Sequence, residues 1–227
     1  MAVVAVSGCL ALSACQSPPS RQAEPAPPAT LSPTATIGKP YTIDPQVSEI
    51  RLLVYRDGPL ARVGHNHVMS GKVEGVIFVA DSAADSGFRL RIPVDSFQVD
   101  VSEQRAEEGA EFASVPSEPA RKGTRDNMLG PDVLDAGHAP EILIESVALT
   151  GPRWNPDVTA RITLRGKRSE VRFPAAVIEQ GDTLTVIAAF RVLQTRLGLE
   201  PYSVLGGAVR VRDAIDIRIR LQAHPTR

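Results

Sequence analysis

Near the C-terminus apolar and polar side chains alternate strictly: Ile215, Ile217, Ile219 and Leu221 are interleaved with Asp216, Arg218, Arg220 and Gln222. A period of two places one set on each face of a β-strand. Val158-Thr159-Ala160-Arg161-Ile162-Thr163-Leu164-Arg165 follows the same rule. Strands with one apolar and one wet face suit an antiparallel sheet. Gly166-Lys167 offers a turn, and Val171-Arg172-Phe173 opens the partner strand. Gln180-Gly181-Asp182 marks a hairpin tip before Leu184, Val186, Ala188 and Phe190 alternate with Thr185, Ile187 and Ala189. Further strands are predicted over residues 49–55, 64–78, 88–92 and 97–99, with turns at Asp57-Gly58-Pro59 and Ser86-Gly87.

Only residues 102–136 break the pattern. Residues 103–113 are rich in helix formers, Pro116 and Pro119 interrupt, and residues 121–134 read as a short helical turn or two ending near Gly137. Strands on both sides of one helical insertion predict an all-β fold, an antiparallel β-barrel of about eight strands, with a two-sheet sandwich as the alternative. A barrel of about eight strands is either filled by its own side chains or holds one small ligand.

Composition narrows the function classes. The chain of 227 residues has a net charge of −1, which leaves no electrostatic footprint for nucleic acid. Aromatics make up 4%, too few for stacking platforms. Both cysteines, Cys9 and Cys15, precede the strand-forming part, so the domain has no disulfide or thiol chemistry.

Residues 1–14 are small or apolar and uncharged, which matches the hydrophobic part of a secretory signal. Leu12-Ser13-Ala14-Cys15 has the form of a bacterial lipobox, whose cysteine receives the lipid. No Lys or Arg precedes Arg21, so the positive n-region is missing and the true start is expected upstream of Met1, or Met1 is a late start. The run is too short for a transmembrane helix. Residues 15–40 are rich in Pro, Ala and Ser, cannot bury enough surface to offset ordering, and are expected to form a flexible tether. The expected division is a signal over 1–14, a tether over 15–40 and a barrel domain over 41–227. Gln16 after the cysteine favours the periplasmic face of the outer membrane in a Gram-negative host.

Candidate chemistry centres on Gly64-His65-Asn66-His67-Val68, which holds two of the four histidines. In a strand, His65 and His67 project from one face. They are read as headgroup contacts at a cavity mouth, as a hydrogen-bonded plug, or as two ligands of a metal. A metal site needs a third ligand, for which His138, Asp126 and Glu74 are the candidates. Arg125-Asp126 is either an ion pair clamping the helical flap or a polar contact at the cavity entrance. Glu107, Glu108 and Glu111 read as a solvated helix face. Gly206-Gly207 after Tyr202 reads as a bulge or tight bend. Ser203 lacks the setting of a nucleophile, and no catalytic residue is assigned.

Several short motifs carry a family resemblance. Tyr41-Thr42-Ile43-Asp44 with Ser48-Glu49-Ile50, Arg125-Asp126-Asn127-Met128-Leu129, and Asp132-Val133-Leu134-Asp135 with residues 140–146 occur in order. Ile162-Thr163-Leu164-Arg165-Gly166-Lys167 and Leu197-Gly198-Leu199 follow. Together they resemble the YceI-like family of periplasmic lipocalin-like proteins, across residues 41–223. Met128 stands where that family usually has histidine, and Gly64-His65-Asn66-His67 marks a divergent branch. The resemblance implies a lipocalin-like barrel that takes an isoprenoid chain, such as a polyprenyl quinone or alcohol, and no covalent chemistry. The expected ligand contacts are His65, His67, Arg125, Asp126 and Tyr202. Expected partners are that lipid and, through lipidated Cys15, the membrane, with a homodimer left open. No cofactor is expected beyond a bound polyisoprenoid or quinone. The rival readings are a metal-binding protein or metal-dependent enzyme centred on His65 and His67, and a filled barrel acting as an interaction module.

Overall fold

A computed structural model describes residues 38–227. The signal segment, Cys15 and most of the expected tether lie outside the described residues. The strands are β1 Lys39–Ile43, β2 Glu49–Val54, β3 Arg56–Asp57, β4 His67–Lys72, β5 Glu74–Val79, β6 Gly87–Pro93 and β7 Gln98–Val99. Two short helices follow, α1 Ser102–Ala106 and α2 Glu118–Leu129. Then come β8 Glu141–Thr150, β9 Asp157–Leu164, β10 Lys167–Gln180, β11 Thr183–Leu193, β12 Ser203–Val204, β13 Val209–Val211 and β14 Ala214–Pro225. The domain thus starts slightly earlier than expected, because Lys39 and Pro40 already pair with Val79 and Phe78.

The strand order β1-β5-β6-β8-β9-β10-β11-β14 closes on itself through β14 and β1, all antiparallel. β2 and β4 continue β1 and β5, and β7 continues β6, so these pieces are bent staves of one eight-stranded barrel. β4 and β5 are separated only at Val73, and Gly75 follows as the second residue of β5. Its φ is +135°, and a Cβ there would sit 2.1 Å from the Arg89 carbonyl oxygen, so a side chain would force the β5–β6 pair apart. Ile215, Ile217, Leu221 and Ala223 of β14 all point inward and are buried, as the alternation predicts. Val158, Ala160, Ile162 and Leu164 of β9 do the same. Full burial of each such aliphatic chain contributes about 1.5–3 kcal/mol.

The turn between β9 and β10 lies one residue earlier than the sequence suggested. Lys167 is already paired with Leu164, and the turn residues are Arg165 and Gly166, with φ of +50° and +74°. Two consecutive left-handed residues match the strand twist, and glycine takes the second position without strain.

The helical insertion is docked by buried charge. Glu108 is almost fully buried, not on a solvated face: Arg51 Nη1 donates to its Oε1 at 2.9 Å, and Arg218 approaches its Oε2 at 3.0 Å. Arg51 also donates to Glu49 and Glu107, at 2.6 and 2.8 Å. Leu53, Val68 and Phe112 form a small apolar core beside this cluster, outside the barrel.

Tyr55, stacked at a tilt on Phe112, donates its hydroxyl to Asp216 at 2.8 Å. Burial first, then this carboxylate, push its phenol from an ordinary value of 10.0 up to about 12. A raised folded pKa means that the contribution is present below the unfolded value and is lost as pH rises through about 12. An ultraviolet titration of tyrosinate should therefore lose its highest-pH component in Tyr55→Phe, and an unchanged curve would refute the assignment.

Candidate functional site

Two cavities lie inside the barrel, stacked along its axis. The inner one, about 110 Å³, is lined almost wholly by apolar side chains, among them Ile50, Leu90, Phe173, Ala188, Phe190 and Ile217. The outer one, about 200 Å³, is lined by Leu52, Val54, Met69, Met128 and Ile215 in its depth. The polar groups of that outer lining are Arg56, His65, His67, Thr124, Asn127, Gln194, Tyr202 and Arg210, with no carboxylate. The two share no lining residue, yet Ile50 and Leu52, or Ile217 and Ile215, are successive inward positions of one strand. The barrel is therefore not filled by its own side chains.

His67 opens β4 opposite Val54 and faces the outer cavity. Its Nδ1 lies 2.7 Å from Asp100 Oδ2. Asp100 is fully buried and left-handed, with φ of +56°. Its other oxygen accepts the Val68 N–H at 2.9 Å and a hydrogen bond from Arg105. Burial alone would push the Asp100 carboxyl up, but His67, Val68 and Arg105 outweigh it and hold it below the usual carboxylate range. An ionised carboxylate can only accept, so Nδ1 carries the proton and donates. Nε2 is left toward the cavity, and among the described residues no hydrogen-bond partner reaches it. Arg105 is itself held by the Asn66 and Ser114 carbonyls.

His65 is not in a strand. The chain from Gly64 to Asn66 is a loop, tied by Asn66, whose Oδ1 accepts the Arg56 N–H and whose Nδ2 donates to Glu111 O. Those side-chain bonds replace the ladder and hold the chain off the sheet. The two imidazoles still meet at the cavity, with ring centroids 6.5 Å apart.

Tyr202 joins them in the outer lining, but Arg125 and Asp126 do not. Arg125 turns to the outside of the barrel and clamps α2, donating to the Phe97 and Asp95 carbonyls at 2.9 and 2.8 Å. Asp126 pairs with Lys122 one helical turn away, at 2.6 Å and exposed. Thr124, Asn127 and Met128 of the same helix face the cavity instead. His138 pairs with Asp135 at 2.9 Å on the surface. Among the described residues no three His, Cys, Asp or Glu side chains converge to hold a metal. Asp100, Arg105 and Gln194 carried no sequence signal. Charged and amide side chains are ordinarily surface residues, and only their burial marks them.

The barrel wall has a break. β10 pairs with β11 from Ala175/Ala188 to Gln180/Thr183 and no further, while residues 167–174 pair only with β9 and residues 189–193 only with β14. Across this gap the rings of Phe173 and Phe190 stack, centroids 4.2 Å apart and planes 6° from parallel. Below it the Ser169 hydroxyl donates to the Arg196 carbonyl at 2.9 Å and closes the window's lower edge. Phe173 and Phe190 also line the inner cavity, so the window faces directly into it.

A closed antiparallel barrel of eight strands, with an apolar interior and polar groups gathered at one end, is a lipocalin-like architecture. The sequence profile of the YceI-like domain matches residues 41–223, and the chain belongs to that family. The fold is similar to that of BcnA from Burkholderia cenocepacia, at 20% identity and a TM-score of 0.55, covering 80% of this chain and 99% of that one. It is also similar to a polyisoprenoid-binding domain from Saccharophagus degradans implicated in plant cell wall breakdown. That match has 11% identity and a TM-score of 0.51, covering 82% of this chain and 98% of the other. No curated protein matches the chain.

Proposed function

We propose that the barrel binds an amphiphilic lipid of the isoprenoid type, with its headgroup among His65, His67 and Tyr202 and its tail along the barrel axis. The observation that carries this reading is the segregation of polarity. Two largely apolar cavities lie in line; eight polar side chains line the outer one, against Ser86, Arg153 and Glu179 at the far end of the inner one. Membership of the YceI-like family and the likeness to a domain described as polyisoprenoid-binding support it. Each methylene taken from water contributes about 0.8 kcal/mol, so the tail supplies affinity and the head supplies orientation. The head-end donors suit a ligand rich in acceptors, such as a quinone, because imidazole, phenol and guanidinium groups face the cavity and no carboxylate does. A cavity of about 150 Å³ admits benzene. The closed barrel therefore takes the head and on the order of one or two isoprene units, and a longer tail enters as the Phe173–Phe190 window opens. Cys15, once lipidated, tethers the domain to the periplasmic face of the outer membrane. A Cys15→Ala variant should leave the membrane fraction, and retention there would refute the anchor.

Native mass spectrometry with elemental analysis of detergent-free protein tests the ligand. A bound apolar mass is expected, and a stoichiometric metal or an empty barrel would overturn the reading. Loss of one headgroup hydrogen bond costs about 0.5–1.5 kcal/mol, so His65→Ala and Tyr202→Phe should each weaken binding roughly two- to twelve-fold at an unchanged melting temperature. His67→Ala differs, because it also strips a donor from buried Asp100 and should lower the melting temperature. Unaltered affinity in all three would remove the headgroup from this end.

A further inference from the structure

The outer cavity is roofed by a small sheet that the eight-stranded barrel does not need. β12, β13 and β3 pair in that order, and the turn at residues 61–63 abuts them through the Leu60 N–H to Ala208 carbonyl bond at 2.9 Å. Arg56, Val204, Val209, Arg210 and Val211 of this flap line the cavity mouth from above. On its outer side the flap exposes aliphatic side chains, Leu205 being 72% exposed and Val63 61%, while Val204, at the rim of the cavity, is 40% exposed. Leu205 is held left-handed at φ +54°, ahead of Gly206 at +64° and Gly207 at +88°. A β-carbon in that region is strained, so the turn presents a leucine to solvent at an energetic cost.

Charge distinguishes this end of the barrel from the other. Within residues 56–64 and 203–212 the charged side chains are Arg56, Arg62, Arg210 and Arg212 against Asp57 alone. All four arginines are exposed, and Asp57 pairs with Arg210 at 3.0 Å. Asp213, which follows Arg212 directly and accepts from the Thr195 amide and hydroxyl, is the nearest further acid, with Glu111 and Glu200 in the adjoining segments. At the opposite end, the connections at residues 80–87, 151–157 and 179–183 carry Asp81, Asp85, Asp157, Glu179 and Asp182 against Arg153, with Lys39 and the C-terminal Arg227 beside them. Trp154, 70% exposed, lies at that acidic end. Exposed aliphatic side chains among basic ones suit the interface of an anionic bilayer, where apolar tips enter the acyl boundary and arginines meet phosphate. Acidic groups around Trp154 oppose the same approach.

We infer that the flap carrying Val63, Val204 and Leu205 is a membrane-docking tip that sets the mouth of the outer cavity against an anionic phospholipid surface. The inference rests on the reading of the barrel as a lipid binder, since docking there would open the cavity onto the lipid phase. The flap strands form a sheet separate from the barrel and pair with one another at only two positions each, so they are the part best able to part when the tip enters the bilayer.

The test uses the full chain with Cys9→Ser and Cys15→Ser and one new cysteine, Leu205→Cys or Asp182→Cys, labelled with an environment-sensitive dye. Asp182 sits at the hairpin tip at the far end of β11 and serves as the control. On vesicles of phosphatidylcholine with phosphatidylglycerol, the dye at position 205 should shift to the blue and be quenched by chain-nitroxide lipids, while the dye at 182 stays in water. Each label reports contact at its own site, however the N-terminus holds the chain. Adding Arg62→Glu and Val63→Asp should cut the response at 205 at least tenfold. An equal response at both sites, a response only at 182, or no effect of the Arg62/Val63 change overturns the inference. Bound lipid, read by native mass spectrometry on the same variants, is expected unchanged. Retained lipid with no insertion at 205 would overturn the docking tip and leave the lipid reading standing, whereas insertion by an empty barrel would overturn the lipid reading alone.

Discussion

Replacing Arg105 with methionine should lower the free energy of unfolding by about 3–5 kcal/mol, a large share of what holds a domain of this size together. Arg105 is 2% exposed and bridges Asp100 to the carbonyls of Asn66 and Ser114. Methionine matches its reach but leaves the Asp100 carboxylate with only His67 and the Val68 amide in a site closed to water. The change should also be visible against pH. The Asp100 pKa is depressed in the folded state, so its contribution is fully present above the unfolded carboxylate value and lost as pH falls through the folded one. Without Arg105 that depression shrinks and acid unfolding should begin at higher pH. Urea denaturation at neutral pH and an acid titration by circular dichroism check both points. A cost under about 1 kcal/mol would show that the charges are solvated in solution.

The second large effect concerns the inner cavity. Ala188 is buried beside Phe173 and Phe190, and tryptophan at that position would fill most of the roughly 110 Å³ space. Overpacking should cost about 1–3 kcal/mol of stability. The greater effect is expected in binding. Excluding one isoprene unit of five carbons removes about 4 kcal/mol of burial, close to a thousandfold in affinity. Ligands short enough for the outer cavity alone should bind Ala188→Trp as they bind the native protein. The check is a series of quinones of increasing tail length, titrated against both proteins. A parallel loss at every length would mean that the tail does not reach the inner cavity.

How far the sequence could be read depended on how each element is stabilised. β9, β10, β11 and β14 were legible because each has one face in the barrel and one in water, and that asymmetry forces alternation. The helical insertion was legible from composition, but its bounds were not: Pro119 does not interrupt but takes the first turn of α2, which runs from Glu118 only to Leu129. β3, β12 and β13 were not, because strands of two or three residues are too short to show a period. Glu108 was read as a solvated charge because its partners, Arg51 and Arg218, are distant in sequence and only the folded chain brings them together. Arg125 and Asp126 are neither paired with each other nor at the cavity entrance, because neighbours on a helix diverge: Arg125 clamps α2 to backbone carbonyls and Asp126 pairs with Lys122.

The histidine motif draws the same line. The sequence by itself determined that two imidazoles stand two residues apart in a chain whose alternation predicts antiparallel strands, closed into a barrel or packed as a two-sheet sandwich. It could not determine what His67 faces, since that depends on Asp100, a residue 33 positions away on a neighbouring strand end. Docking of the helical insertion, through Arg105 and its bond to the Ser114 carbonyl, covers that carboxylate, and burial gives the pair its fixed tautomer and its energetic weight. Local pattern encodes which face of a strand avoids water. The contacts across the closed barrel, the break between β10 and β11 and the two cavities arise only when distant strands share one interior.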